Sequence, residues 1–112
     1  MSPGERLVAA ATSVPDAVDR QGRRLGLRRL TALDKLRLFK AAGPVLAQNP
    51  SWLGMAVLAC SVTSIDDVPL PAPASESQIE AVVQRLGDDG IAAVGAALSD
   101  DAAVSDGNLA KN

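Results

Sequence analysis

A long segment without charged residues, from Ser51 to Ser64, constrains this chain more than any other feature. Asn49 is a good N-cap and Pro50 suits the first helical position, so the sequence predicts a helix from there to about Thr63. Apolar side chains occupy every side of it, and such a helix lies either at the centre of a core or against a second chain. A small domain rarely encloses such a helix alone, and we therefore expect self-association. The candidate self-association or partner surface consists of Trp52, Leu53, Met55, Val57, Leu58 and Val62.

The size and charge of the chain indicate one small domain with two electrically different halves. Its 112 residues suffice for a single, limited core. Residues 1–56 hold nine basic and four acidic residues, whereas residues 57–112 hold two and nine, which gives net charges of +5 and −7. This division favours head-to-tail contact between copies, or docking on a partner with matching patches.

Targeting signals are not evident in the sequence. The amino-terminal residues do not follow a signal-peptide pattern, and no apolar run approaches the ~20 residues needed to span a bilayer. Cys60 is the only cysteine, which agrees with a reducing compartment. We therefore expect a cytoplasmic protein without membrane contact.

The amino-terminal quarter predicts a flexible arm followed by a hairpin. Residues 1–13 combine Pro, Gly and a small-residue run, without a cap or an alternating pattern. From Val14 to Leu30, a turn that contains Gly22 is followed by Leu25 and Leu27 at spacing two. Alternation around a Gly-bearing turn is typical of a β-hairpin.

The next segment predicts an amphipathic helix with a capping box. Thr31 can cap its first turn, and Asp34 can reach back to the backbone of Thr31. Gly43 and Pro44 predict its end, because glycine accepts a left-handed cap and proline cannot continue the helix. The predicted buried stripe, at spacing three, is Leu33, Leu36, Phe39 and Ala42.

Beyond the uncharged helix, we expect a hinge, two more helices and a tail. Residues 65–73 carry three prolines and predict a turn followed by an extended segment. Ser75 caps a third helix that ends at Gly87, and a short fourth helix follows over residues 88–98. The expected fold is mainly α within the α+β class, with about four helices and the hairpin in one domain over residues 14–98. Residues 99–112 predict a disordered acidic tail.

Catalytic and metal-binding patterns are weak. The sequence contains no histidine, so neither a Ser-His or Cys-His pair nor a His-based metal site can form. We interpret Cys60 as a small buried residue, because no charged neighbour in sequence lowers its pKa. The three Asp-Asp pairs stand at turns or helix starts, where carboxylates satisfy free N–H groups. We therefore expect no catalytic, metal or cofactor-binding residues and no enzyme activity.

A basic segment supports the main alternative to a protein-binding role. Eight Lys or Arg residues lie between positions 20 and 40 and can meet phosphates. Base stacking needs aromatic residues, however, and this segment has none before Phe39. We interpret the segment as a solvated or partner-facing patch rather than a specific nucleic-acid site. Its candidate residues are Arg23, Arg24, Arg28, Arg29 and Arg37.

Five short sequence motifs follow one another along the chain in a characteristic order and spacing. They are Arg28–Leu30, Leu33–Phe39, Trp52–Gly54, Ser61–Pro69 and Gln78–Ala81. Together they resemble the tail assembly chaperones of tailed bacteriophages, over about Asp16 to Leu98. Two positions depart from the family pattern, since Asp67 stands in place of a glycine and Leu70 in place of an aromatic residue.

The resemblance implies a non-enzymatic protein of the host cytoplasm that takes part in virion assembly. It would bind the tape measure protein, keep it soluble while the tail tube is built, and form a homo-oligomer. Neither catalytic residues nor a cofactor are implied. Two alternatives remain: a small nucleic-acid-binding regulator that uses the 20–40 segment, and a structural tail or head-completion protein.

Overall fold

The amino-terminal hairpin is confirmed in the computed structural model, which describes the backbone of residues 13–110 and the side chains of residues 13–103. Strands β1 (Ser13–Val18) and β2 (Arg24–Arg28) pair antiparallel, with Val14 opposite Leu27 and Ala17 opposite Leu25. These four side chains are buried, so one face of the hairpin contributes to the core. The flexible arm expected over residues 1–13 lies, apart from Ser13, outside the described residues.

Two further strands extend the hairpin into a four-stranded antiparallel sheet. Strand β3 (Val62–Ile65) pairs with β2, and β4 (Val68–Pro69) pairs with β3, so the order is β1-β2-β3-β4. Asp66 and Asp67 form the turn between them, with φ of 49° and 67°. Positive φ at both central residues suits the twist of a tight hairpin.

The uncharged helix is therefore shorter than predicted. Helix α2 (Pro50–Cys60) ends before Thr63, because Ser61 ends it and Val62 begins a strand. The Ser61 hydroxyl donates to the Val57 carbonyl at 2.7 Å. Val62 and Ile65, three residues apart, are both buried on the sheet face, because the pairing register of β2 and β3 shifts between them. Their β-branched side chains suit a strand.

Helix α1 (Ala32–Leu46) connects β2 to α2 and begins at the predicted capping box. The Asp34 N–H donates to the Thr31 hydroxyl at 3.2 Å, and the Thr31 N–H donates to the Asp34 carboxylate at 2.8 Å. Gly43, with φ of 83°, breaks the helical backbone, and Pro44 starts one last turn. The predicted end at these two residues is thus a break inside the element.

Helix α3 (Glu76–Ala110) replaces the two carboxyl-terminal helices of the sequence prediction. Gly87, with φ of 65°, interrupts its backbone, but helix continues at once on the far side. The described chain therefore has three helices instead of about four. Helix also continues past Leu98, so for residues 99–103 the predicted disordered tail is replaced by ordered helix. Residues 111–112 lie outside the described chain.

The core forms where α3 packs across the sheet and against α2. A smaller cluster of Leu38, Ala56 and Ile79 lies where α1, α2 and α3 meet. The main cluster consists of Val14, Ala17, Leu25, Leu27, Ala59, Val62, Ile65, Leu86 and Val94.

The buried face of α1 differs from the predicted stripe. Ala42 of the predicted stripe is buried as expected, and so is Leu38, whereas Leu33, Leu36 and Phe39 are 52%, 64% and 45% exposed. Two apolar rows therefore run along this helix, and only one of them meets the core. The prediction chose the row at spacing three, but the other helices contact the row at spacing four.

Candidate functional site

The six candidate residues of the uncharged segment do not form one exposed surface. Val62 lies inside the sheet and is only 5% exposed. It is therefore a core residue and not the partner contact that the sequence predicted. Leu58 is half-buried and lies against α3, where a Cβ at Gly95 would be 3.8 Å from its Cδ1. Val57 is also half-buried. Trp52 and Leu53 are half-buried as well, so Met55, which is 41% exposed, is the most accessible of the six.

Two of those residues line an apolar groove between α2 and α3. Its volume is about 240 Å³, and Trp52 and Met55 form one side of it while Ile79 and Val83 form the other. The indole Nε1 of Trp52 donates to Glu80 at 3.2 Å, which fixes the ring across the groove. This part of the uncharged helix therefore lies at the surface of the protein.

Arg23 in the predicted basic patch has a structural role. Its Nε donates to the buried Asp19 carboxylate at 2.7 Å. Its other nitrogens donate to the carbonyls of Arg85 and Leu86, at 3.0 and 2.6 Å. These carbonyls end the first part of α3, just before Gly87, so Arg23 joins the hairpin turn to the helix break.

Three more of the candidate arginines pair with carboxylates of the same chain. Arg28 contacts Asp34 at 2.7 Å, and Arg24 contacts Asp16 at 3.4 Å. Arg29 pairs with Asp101 on α3. Among the described residues, Arg37 alone of the five predicted arginines makes no ion pair. The charge available to nucleic acid is therefore smaller than the sequence indicates.

These contacts lower the pKa of two carboxylates, Asp19 and Asp34. Burial alone raises the pKa of Asp19, but hydrogen bonds from Arg23 and from the Gln21 N–H outweigh burial and hold that pKa below its ordinary value. Burial likewise opposes ionisation of Asp34, whereas hydrogen bonds from Thr31 and the nearby Arg28 lower its pKa. Both groups therefore stabilise the fold in the ionised form.

Cys60 lacks the surroundings of a reactive thiol. Its side chain is half-buried, and burial raises its pKa, with a further rise caused by the negative charge of Asp34. Over residues 13–103, no group of three or more His, Cys, Asp or Glu side chains could hold a metal ion.

The surface that sequence analysis missed is the α1 outer face, which we define as the exposed stripe of Leu33, Leu36 and Phe39. At about 100° per residue, these side chains span an arc of about 120° opposite Leu38. Their exposure on an ordered helix is unusual for large apolar residues that stand in a row. The signal in the sequence was an excess of apolar residues, since α1 has more of them than one buried face requires.

Basic side chains lie in and beside the α1 outer face. Lys35, Arg37 and Lys40 are all exposed, and none of them forms an ion pair among the described residues. The same helical geometry places Lys40 within the stripe and the other two about 40° beyond its edges. The acidic residue of this helix, Asp34, lies on the inner side, where Arg28 neutralises it.

Comparisons with known proteins do not identify a family for this chain. No protein-family model, no curated protein and no solved structure matches the chain. Within the part of the chain that the structure describes, no helix combines the length and the apolar character that a bilayer crossing requires.

Proposed function

We propose that this chain is a non-enzymatic assembly chaperone of a tailed bacteriophage, which binds the tape measure protein and keeps it soluble while the tail tube is built. The observation that carries the proposal is the α1 outer face, where three large apolar side chains are between 45% and 64% exposed on a capped helix. The tape measure protein is proposed as the partner because five sequence motifs resemble this family. These motifs are residues 28–30, 33–39, 52–54, 61–69 and 78–81.

The stripe suits reversible binding of another helix. Its residues recur at every third position, which is one of the two spacings whose side-chain ridges pack into the grooves of another helix. The capping box fixes the start of α1 before any partner arrives, so binding costs little backbone entropy there. A long partner helix that exposes apolar residues would be shielded from its own copies while it occupies the face.

The proposal includes self-association through a second place, the groove beside Trp52 and Met55. Its walls are apolar apart from Glu80, and they come from α2 and α3, whereas the outer face belongs to α1. An oligomer formed there would leave α1 free for the tape measure protein. Several copies could then cover one long partner, with affinity increased by multivalency.

Co-expression tests the proposed function. The tape measure protein should be largely insoluble alone, and it should become soluble and co-purify when this chain is produced with it. A chain of similar size and charge from an unrelated source serves as the control for non-specific effects. If the tape measure protein is equally soluble without this chain, the chaperone proposal is withdrawn.

A further inference from the structure

The α1 outer face has a definite charge as well as an apolar stripe. Lys35, Arg37 and Lys40 stand in or beside it, and no acidic side chain shares that side of the helix. A partner that covers Leu36 must bring its own flanking groups within a few ångströms of these bases. Acidic groups would be attracted there, whereas basic groups would be repelled.

We propose that the α1 outer face binds an amphipathic helix of a partner protein whose apolar stripe is flanked by acidic residues. The inference rests on the proposed function in one respect, since it states the chemistry that the partner segment must have. It goes beyond that function by assigning the contact to Leu33, Leu36 and Phe39, and by assigning selectivity to the three bases.

Two arrangements with a second copy, a symmetric α1 pair and a head-to-tail contact with α3, fit this face poorly. In a symmetric pair, two α1 helices would bring six basic side chains, three from each copy, together around one contact. Charge repulsion opposes this arrangement. In a head-to-tail pair, the acidic α3 helix would supply the matching charge. Over residues 76–103, however, α3 has no exposed large apolar side chain to fill the stripe. A foreign helix that provides both features is therefore the better occupant.

Synthetic peptides provide the test. One peptide of about 20 residues carries leucine at the a and d positions of its heptads and glutamate beside them, and its twin carries lysine in place of glutamate. Binding to the full chain is followed by fluorescence anisotropy at low and high salt. The acidic peptide should bind at least about tenfold more tightly than the basic one, and the difference should shrink as salt screens the charges.

Three variants locate the contact. Leu36→Ser combined with Phe39→Ser should weaken binding of the acidic peptide by about tenfold or more, because central apolar anchors dominate helix contacts. Lys40→Glu should reduce the preference for the acidic peptide. Val68→Ser is the matched control, since Val68 is 55% exposed on β4, and its loss should leave binding unchanged. All four positions are exposed, so circular dichroism should show an intact fold in each variant.

Several results would overturn the inference. Equal binding of both peptides would contradict the proposed selectivity for acidic flanking residues. Binding that survives the double substitution would contradict the proposed contact at the α1 outer face. Co-sedimentation with vesicles of phosphatidylglycerol and phosphatidylcholine, abolished by the double substitution, would assign the face to an anionic membrane instead. A dimer that the same substitution disperses would assign it to a second copy.

The test separates this inference from the proposed function. If the tape measure protein co-purifies equally well with wild type and the double variant, the chaperone function stands and the α1 contact is wrong. If the tape measure protein needs no chaperone but the acidic peptide still binds selectively, the function is wrong and the α1 contact stands.

Discussion

Two leucines on one helix provide the sharpest test of this fold. Leu38→Ala and Leu36→Ala make the same chemical change two residues apart on α1, so their effects on helix propensity are closely matched. Leu38 is 4% exposed in the small cluster with Ala56 and Ile79, whereas Leu36 is 64% exposed. The two substitutions should therefore differ mainly in the burial and cavity that each one removes.

The expected magnitudes follow from that difference. Loss of a fully buried leucine side chain, with the cavity it leaves, lowers the free energy of unfolding by about 2–5 kcal/mol, and we expect about 3 kcal/mol for Leu38→Ala. Leu36→Ala removes little buried area and gains a few tenths of a kcal/mol in helix propensity, so its effect should stay within about 0.5 kcal/mol. In a domain of this size, a loss of 3 kcal/mol lowers Tm by about 10–20 °C.

Urea unfolding followed by circular dichroism measures both effects. The midpoint should fall clearly for Leu38→Ala and remain near wild type for Leu36→Ala, with similar slopes. Equal losses at both positions would refute the assigned burial of α1, because they would require Leu36 to be covered as well. Repeating the measurement at several protein concentrations shows whether a second copy provides that cover, since oligomer stability depends on concentration.

Three further predictions concern other parts of the chain. Arg23→Met should lower the urea midpoint, because it leaves the Asp19 carboxylate buried without its cation and the helix end at Gly87 without its donors. The wild type should lose stability as pH falls from about 4 through the lowered pKa of Asp19, and this acid-dependent loss should be smaller in the variant; an unchanged pH profile would contradict the assigned pair. Asp67→Gly should raise the free energy of unfolding by about 0.5 kcal/mol, because it relieves a left-handed conformation at φ of 67° more than it costs in chain entropy, and a lower urea midpoint would show the opposite. Cys60 should react with iodoacetamide far more slowly in the native protein than in urea, because burial raises its pKa, whereas equal rates would show an open thiol.

Local hydrogen bonds explain which elements the sequence determined by itself. The capping box of Thr31 and Asp34, the Asn49 cap and the hairpin turn at Gly22 all appear as expected. Each of them is formed by groups within a few residues of one another, so residue type and spacing suffice to predict it.

The candidate site was predictable in part. The sequence indicated an apolar helix and a basic segment, and both exist. It could not show that Val62 enters a strand, that Arg23 donates to backbone carbonyls 62 and 63 residues away, or that Arg29 meets a carboxylate 72 residues away. Such partners become neighbours only after folding, and no local pattern records them.

Tertiary packing alone decided which side of α1 faces the core. Its two apolar rows have similar local preferences, and the choice depends on Ala56 and Ile79, which come from other helices. Tertiary contacts also extend α3 past Leu98, since Arg29 pairs with Asp101 there and stabilises a segment whose own sequence predicts disorder. The sequence therefore determined where the helices begin, whereas burial against distant residues decided which faces remain exposed for binding. The reason is that the energy of burial depends on contacts that the chain makes only when folded.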